Sequence, residues 1–294
     1  MDRTRPSHTA VKIARMSLYF TMHRVLGPLM PPGMSDINGQ ILSAAGLMKP
    51  WHQRVYRSRV FDGIVRAADR LMPGALAHMA LRKRFFDDEV GTALDEGARQ
   101  IVVLGAGLDG LAVRRASQHP DARFWELDHP VTQPAKRDAV VAAGLTADNL
   151  VLLPADLGER PLDALLAAQP AWDSSAAALF TAEGLFMYLE PPAVRALLEA
   201  AHRACGPGSR LVFSWLPAGD GGRDGLGHTL RASLAVVGEP VRWRITRPEL
   251  DVLLGETGWR PCGEPDRLSL SDRYLAGSAM PVTGIEAVMV ADRV

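Results

Sequence analysis

Apolar residues in the first third of the chain follow a helical spacing. Between about residues 35 and 98 they recur three and four positions apart, and one such run is Val60, Ile64, Ala67 and Leu71. Proline and glycine residues divide this stretch into several helices, and no part of it has a strand pattern. Residues 1–20 carry scattered basic side chains and are expected to fray. The pattern predicts an N-terminal helical region over residues 1–98 that caps a pocket.

From Arg99 onward the pattern alternates between short apolar strands and helical segments. The predicted strands are Gln100–Leu104, Arg123–Asp128, Asn149–Pro154, Ala177–Glu183, Ser209–Trp215 and Ile285–Ala291, with a weaker one near 260–269. The predicted helices are 110–118, 132–143, 161–168, 191–204 and 247–256. Such alternation is typical of a mostly parallel sheet covered on both faces, so residues 99–294 are predicted to form one α/β domain.

Residues 216–246 interrupt this alternation. The segment is rich in glycine at its start and has a helical pattern over about 226–237. Long insertions in compact domains are often active-site lids or binding loops. We therefore expect residues 216–246 to cover a pocket.

Composition excludes several classes of protein. The 294 residues are 47% hydrophobic, and 33 basic residues balance 33 acidic ones, so no overall charge attracts nucleic acid or an anionic membrane. The apolar stretch Met16–Met30 is interrupted by His23-Arg24 and is shorter than the roughly 20 residues of a membrane span. Neither a signal peptide nor a metal site is indicated, and two cysteines make no disulfide framework. We expect a cytoplasmic protein; its oligomeric state is not indicated.

A glycine-rich loop follows the first predicted strand. Gly105, Ala106 and Gly107 begin it, and Gly110 completes the pattern G-x-G-x-x-G just before a helix. Glycines allow a sharp turn and close approach to a ligand, while the helix N-terminus offers unpaired N–H groups. In this strand–loop–helix context the pattern predicts a nucleotide-type ligand.

Asp128 ends the next predicted strand, about 20 residues beyond the loop, where a carboxylate accepts hydrogen bonds from ribose hydroxyls. A helix N-cap is the alternative role, because Pro130 follows closely. At this point NAD and S-adenosylmethionine (SAM) fit equally well.

Three further features favour SAM, which carries a carboxylate, an ammonium and a sulfonium. Asp156-Leu157 ends the third strand, where an acid and an apolar neighbour suit an adenine ring, and Glu183 ends the fourth. Arg82 lies upstream and suits a carboxylate. Asp109 in the loop is a poor neighbour for the pyrophosphate of a dinucleotide.

The chain resembles the leucine carboxyl methyltransferase family, and within it bacterial polyketide O-methyltransferases. The similar stretches, in the family's order over about 80–290, are RKRFFDDEV, ARQIVVLGAGLDG, FWELDHPVTQPAKRDAV, LLPADL, AEGLFMYLEPPAVRALLEAA, GSRLVF and ELDVLLGETGWRP. The resemblance implies a Rossmann-like, seven-stranded SAM-methyltransferase sheet whose last strand is antiparallel. It also implies site roles for this chain: Arg82 for the methionyl carboxylate, Gly105 and Gly107 for the loop, Asp128 for ribose, Asp156 and Leu157 for adenine, and Glu183 to complete the cofactor site. Where the family has Thr-Arg, this chain has Gly110-Leu111, so the contacts of that arginine are missing.

The predicted function is SAM-dependent O-methylation of a small molecule, at a carboxylate or hydroxyl of a polyketide-like compound. The alternatives are an NAD-dependent oxidoreductase and a SAM-binding protein with other chemistry. No catalytic residue is identified; the weak candidates are His129, His228 and Tyr188. Because no histidine has a clear position as a base, a carboxylate acceptor, already ionised at neutral pH, is favoured.

Overall fold

A seven-stranded sheet forms the centre of the described chain. The computed structural model describes residues 8–218, 240–262, 270–283 and 286–294. Its strands are β1 (Gln100–Leu104), β2 (Arg123–Asp128), β3 (Leu150–Pro154), β4 (Ala178–Ala182), β5 (Arg210–Trp215), β6 (Trp259–Pro261) and β7 (Ala287–Arg293). The order is β3-β2-β1-β4-β5-β7-β6. Strands β1 to β5 are parallel and β7 is antiparallel to both its neighbours, which confirms the predicted topology.

Helices surround this sheet and form the region before it. They are α1 (His8–Phe20), α2 (Met34–Ala44), α3 (Pro50–Tyr56), α4 (Arg59–Leu71), α5 (Ala75–Asp95), α6 (Leu111–Gln118), α7 (Gln133–Ala142), α8 (Leu162–Ala167), α9 (Pro191–Arg203), α10 (Arg247–Glu256) and α11 (Leu270–Tyr274). No strand occurs among described residues before β1, as the sequence predicts.

The two faces of the sheet belong to different cores. On β1, Val102 and Leu104 pack with residues of α8, α9 and α10, whereas Ile101 and Val103 pack with residues of α5 and α6. Successive side chains of a strand point to opposite faces, and a strand covered on both is apolar throughout. This explains why β1 is a continuous apolar run in the sequence.

Helix α1 corrects one expectation. Residues 8–20 are helical, and Ala14, Leu18 and Phe20 are buried. Ala14 and Leu18 are one helical turn apart and pack with Leu42 of α2 and with Leu108 of the glycine-rich loop. The prediction that residues 1–20 fray is therefore wrong for residues 8–20, because apolar contacts across the fold hold this helix.

Helix α4 corrects a second expectation. The helix exists where the apolar spacing predicts it, yet Val60, Ile64 and Leu71 are 74%, 60% and 86% exposed. Val65 on the opposite side is buried instead, in a cluster with Leu76 of α5. The apolar stripe in the sequence does not mark the buried face of this helix.

Helix α5 spans 21 residues and joins the N-terminal helices to the sheet. Its first turns, with Leu76 and Ala80, pack in the cluster that contains Phe20 of α1. Its later turns, with Leu81 and Phe85, pack against the face of the sheet formed by Ile101. A domain boundary between residues 98 and 99 remains a prediction.

Most element boundaries agree with the sequence to within about one residue. The last strand is displaced, since Ala287–Arg293 replaces the predicted Ile285–Ala291. The weak strand near 260–269 is represented by β6, and residues 263–269 lie outside the described residues. The predicted helix over 226–237, within the insertion 216–246, also lies outside them. Among the described helices, none has the length and apolarity that crossing a membrane requires.

Candidate functional site

A cavity of about 1240 Å³ opens at the carboxyl ends of the parallel strands. Ligands of open α/β sheets bind outside this edge, where loops leave the strands. Its lining includes all eight residues predicted to contact a cofactor: Arg82, Gly105, Ala106, Gly107, Asp128, Asp156, Leu157 and Glu183. Pockets for one drug-sized ligand measure roughly 300–1,000 Å³, so this cavity has room for two ligands side by side.

The glycines of the loop after β1 occupy positions at which a side chain would not fit. Gly105 has φ of +67° and Gly107 has φ of +55°, values that L-residues with side chains rarely adopt. A Cβ on Gly105 would lie 2.8 Å from Cδ1 of Leu185. The glycines therefore place the loop backbone against the cavity.

Asp128, at the end of β2, connects this loop to the sheet. Its Oδ2 accepts a hydrogen bond from the Gly107 N–H, and its Oδ1 accepts one of 2.6 Å from the His129 N–H. Burial raises the pKa of the Asp128 carboxyl, although these two N–H groups favour its ionised form. Thr132, not Asp128, is the N-cap of α7, so the alternative capping role does not apply. Each oxygen keeps a second lone pair that a ligand hydroxyl can use.

A cluster of buried charges lies beside the loop. Arg82 donates from Nε to Glu183 Oε1 over 2.9 Å and from Nη1 to Glu286 Oε2. The next residue, Lys83, lies with Nζ 2.7 Å from Asp109 Oδ2 and 3.0 Å from Glu183 Oε1. Nη2 of Arg82 has no hydrogen-bond partner among the described residues, and Arg82 lines the cavity.

Each charge in this cluster is stabilised by its neighbours. Burial opposes ionisation of Lys83, but Asp109 and Glu183 outweigh it and raise the pKa of its ammonium. Burial likewise opposes ionisation of Glu286, but Arg82 and His78 hold the pKa of its carboxyl at about 2. By formal charge, the two cations and three carboxylates of the cluster leave one negative charge in excess.

Lys136 holds the glycine-rich loop in place through buried contacts. Its side chain and that of Glu126 are both fully buried, 2.7 Å apart. Its Nζ also donates to the backbone carbonyl of Asp109. A buried charge pair with further hydrogen bonds holds the loop in one position.

The end of β3 forms the far side of the cavity. Asp156 is partly exposed, and its Oδ1 accepts a hydrogen bond of 3.0 Å from the Gly158 N–H. His129 Nε2 lies 3.6 Å from Asp156 Oδ2, while Leu157 is buried beside it. This side therefore combines a carboxylate with an apolar surface, as the sequence predicts.

The structure places two of the three weak catalytic candidates in the cavity. His129 and Tyr188 both line the cavity, Tyr188 from the 3-10 turn Phe186–Tyr188 that follows β4. His228 lies outside the described residues.

Sequence reasoning missed His78 and Glu286. His78 is 4% exposed, lines the cavity, and has Nε2 3.4 Å from Glu286 Oε2. His78 is thus a histidine of the cavity that the sequence analysis did not single out. One signal was available, because His78 precedes Arg82 by four residues and so shares its face of a helix.

Comparison with known proteins places this site in a family. The model of the leucine carboxyl methyltransferase family matches residues 28–202, more than half of the chain. The chain belongs to this family. The matched range contains the glycine-rich loop, Asp128 and the Arg82–Glu183 pair.

Curated relatives agree with that membership. A protein of Mycobacterium avium (strain 104), provisionally named an S-adenosyl-L-methionine-dependent methyltransferase, is 35% identical over 238 residues, which are 74% of this chain and 75% of that protein. A protein of Mycobacterium sp. (strain JLS) with the same provisional name is 34% identical over 62% of this chain. The chain spans 61% of that second relative's length.

The fold of this leucine carboxyl methyltransferase family member also has a counterpart among solved structures. A provisionally named methyltransferase from Thermobifida fusca YX matches 90% of this chain and 98% of its own, with a TM-score of 0.53 and 20% identity. At this identity the match shows the fold alone, which is the Rossmann-like α/β fold that the sequence predicts.

Proposed function

We propose that this protein binds SAM at the carboxyl edge of the sheet and transfers its methyl group to an oxygen atom of a small molecule. The observation that carries the proposal is one cavity that joins the glycine loop, Asp128 and the Arg82–Glu183 pair. Family membership supports it, because the curated relatives carry names of SAM-dependent methyltransferases.

The residues present fit the chemistry of SAM. Nη2 of Arg82 suits the methionyl carboxylate, and Glu183 suits the ammonium. The unused lone pairs of Asp128 suit the ribose hydroxyls. Asp156 and Leu157 suit the amino group and the face of adenine. Gly105, Ala106 and Gly107 allow the ligand to approach the backbone.

Bound SAM supplies a methyl group already activated by the positive charge on its sulfur. The work of the protein is therefore to position the acceptor and to exclude water. The excess negative charge of the cluster stabilises a cationic ligand at this place.

The rest of the cavity suits an apolar acceptor. Apolar side chains that line it away from the charged cluster are Phe61, Val65, Met72, Leu76 and Met79, from α4 to α5. Methionine adapts its shape to irregular ligands. A polyketide-like compound fits this lining, as the resemblance implies, and a cytoplasmic location remains a prediction from the sequence.

Calorimetry with SAM, S-adenosylhomocysteine and NADH tests the proposal. We expect micromolar affinity for the first two, on the order of −8 kcal/mol. Asp128→Asn should weaken the binding of SAM and of S-adenosylhomocysteine, whereas Asp121→Asn, at an exposed carboxylate, should leave both affinities unchanged. Saturable binding of NADH without binding of SAM would contradict the proposal. Binding of SAM without methylated product in any acceptor assay would favour the alternative of non-methylating SAM chemistry.

A further inference from the structure

His78 lies at the boundary between the two parts of the cavity. The cavity face of α5 consists of Ala75, Leu76, His78, Met79, Arg82 and Lys83. Its beginning is apolar and its end is charged, and His78 lies between them. A group on a bound apolar acceptor that points toward the cofactor cluster therefore passes this imidazole.

The orientation of the ring leaves one nitrogen available. Nε2 is 3.4 Å from Glu286 Oε2, and a carboxylate there favours the tautomer that carries its proton on Nε2. Nδ1 has no hydrogen-bond partner among the described residues, and the residue that carries it lines the cavity. In this tautomer Nδ1 carries a lone pair and can accept a proton.

Charged groups from several elements line the same cavity as His78, and the one in direct contact with the ring is Glu286, with Oε2 3.4 Å from Nε2. The others are Lys12 of α1, Asp69 of α4, Arg82 and Lys83 of α5, Asp109 of the loop, Asp128 of β2, Asp156 and Glu159 after β3, Glu183 and Glu190 after β4, and Arg242. The cluster around Arg82 and Lys83 has one negative charge in excess, which the net positive charge of bound SAM balances.

We infer that His78 is the general base of this enzyme and that its acceptor is a hydroxyl on an apolar, phenol-like ring, not a carboxylate. The inference rests on the proposed function. A phenol has a pKa of about 10 and needs a base near neutral pH, whereas a carboxylate does not. The hydroxyl proton moves to Nδ1, and the oxygen's electron pair forms the bond to the methyl carbon. The carbon–sulfur pair stays with sulfur, so the positive charge passes to the imidazolium beside Glu286.

A spectroscopic test needs no SAM. The probe is 4-nitrophenol, whose phenolate is yellow and whose neutral form is not, added to the wild-type protein and to His78→Gln at one pH. We expect a larger phenolate fraction with the wild-type protein than with the variant. His119→Gln is the control, since His119 follows α6 and is not part of the cavity lining, and it should behave like the wild type. His129→Gln tests the rival base, since His129 also lines the cavity beside a carboxylate. Equal phenolate fractions in wild type and His78→Gln, or a loss in His129→Gln alone, would overturn the inference.

A methylation test uses two matched acceptors, 2-naphthol and 2-naphthoic acid, at saturating SAM. We expect single-turnover methylation of the naphthol to rise with pH through the range where histidines titrate, about pH 5–8. His78→Gln should abolish this rise and lower the rate about 10²–10⁴-fold, while SAM affinity measured by calorimetry stays within about twofold. Methylation of the acid alone, of neither compound, or of the naphthol at a pH-independent rate overturns the inference. Loss of SAM binding by the wild-type protein would instead defeat the proposed function.

Discussion

The ammonium of Lys83 lies 2.7 Å from Oδ2 of Asp109, which ties helix α5 to the loop after β1. Both side chains are largely buried, at 9% and 15% exposure. The pair connects the helix that carries Arg82 to the loop that carries Gly105, so the parts of the proposed cofactor site are held together by charge as well as by packing.

Lys83→Met should destabilise the protein by about 3–5 kcal/mol, because it leaves Asp109 buried without its cation. Urea denaturation followed by circular dichroism measures this change. Arg195→Met is the control, since Arg195 and Glu256 are equally close, at 2.7 Å, but 44% and 53% exposed. We expect Arg195→Met to lower the free energy of unfolding by at most about 1 kcal/mol. Equal losses in the two variants would show that burial does not strengthen the Lys83 pair.

Arg82→Lys should weaken SAM binding by about 1–3 kcal/mol, because lysine cannot reproduce the planar fork that serves Glu183, Glu286 and a ligand together. Calorimetry measures the affinity, and a thermal melt checks that the variant is folded. Arg84→Lys is the control. Arg84 pairs with Asp88 and does not line the cavity. A larger effect at Arg84 than at Arg82 would show that we have assigned the wrong arginine to the methionyl carboxylate.

The stability contributed by Glu286 should depend on pH. Its pKa in the folded protein is held at about 2, below the ordinary 4.5, so the contribution is fully present above about pH 4.5 and is lost as the pH falls toward 2. Glu286→Gln should therefore be less stable than the wild type at pH 7, and the difference should shrink below about pH 4.5. Denaturation curves from pH 7 to 2 measure it, with Glu256→Gln as an exposed control. A difference that does not change with pH would contradict the low pKa.

Gly105→Ala should abolish SAM binding, since the new methyl group meets Leu185 and distorts the loop. Gly144→Ala is the matched control. Both glycines have φ of +67°, but a Cβ on Gly144 meets no atom within 4 Å. The control should therefore cost about 1–2 kcal/mol of stability from backbone strain and leave SAM affinity unchanged. Similar SAM affinities in the two variants would show that close approach at Gly105 is unimportant.

The sequence by itself determined the sheet and the edge at which the site lies. Strands buried on both faces are mostly apolar, so Gln100–Leu104, with four consecutive apolar residues, is recognisable without any partner. Gly105 and Glu183 follow β1 and β4 directly, Asp128 ends β2, and Asp156 lies two residues after β3. Parallel strands bring their carboxyl ends to one edge, so these residues lie around one cavity.

Only the tertiary structure decided which groups meet inside that cavity. His78 and Glu286 are 208 residues apart, and no spacing in the sequence relates a helix before the sheet to its last strand. Tertiary packing also decided which side of α4 is buried. Its apolar stripe with Val60 and Leu71 is exposed, whereas Val65 is buried. Periodicity reports that a helix is amphipathic, but which side is covered depends on the elements packed against it. The edge at which we propose that the cofactor binds is therefore visible in the sequence, whereas the imidazole we propose as the base depends on contacts that only folding creates.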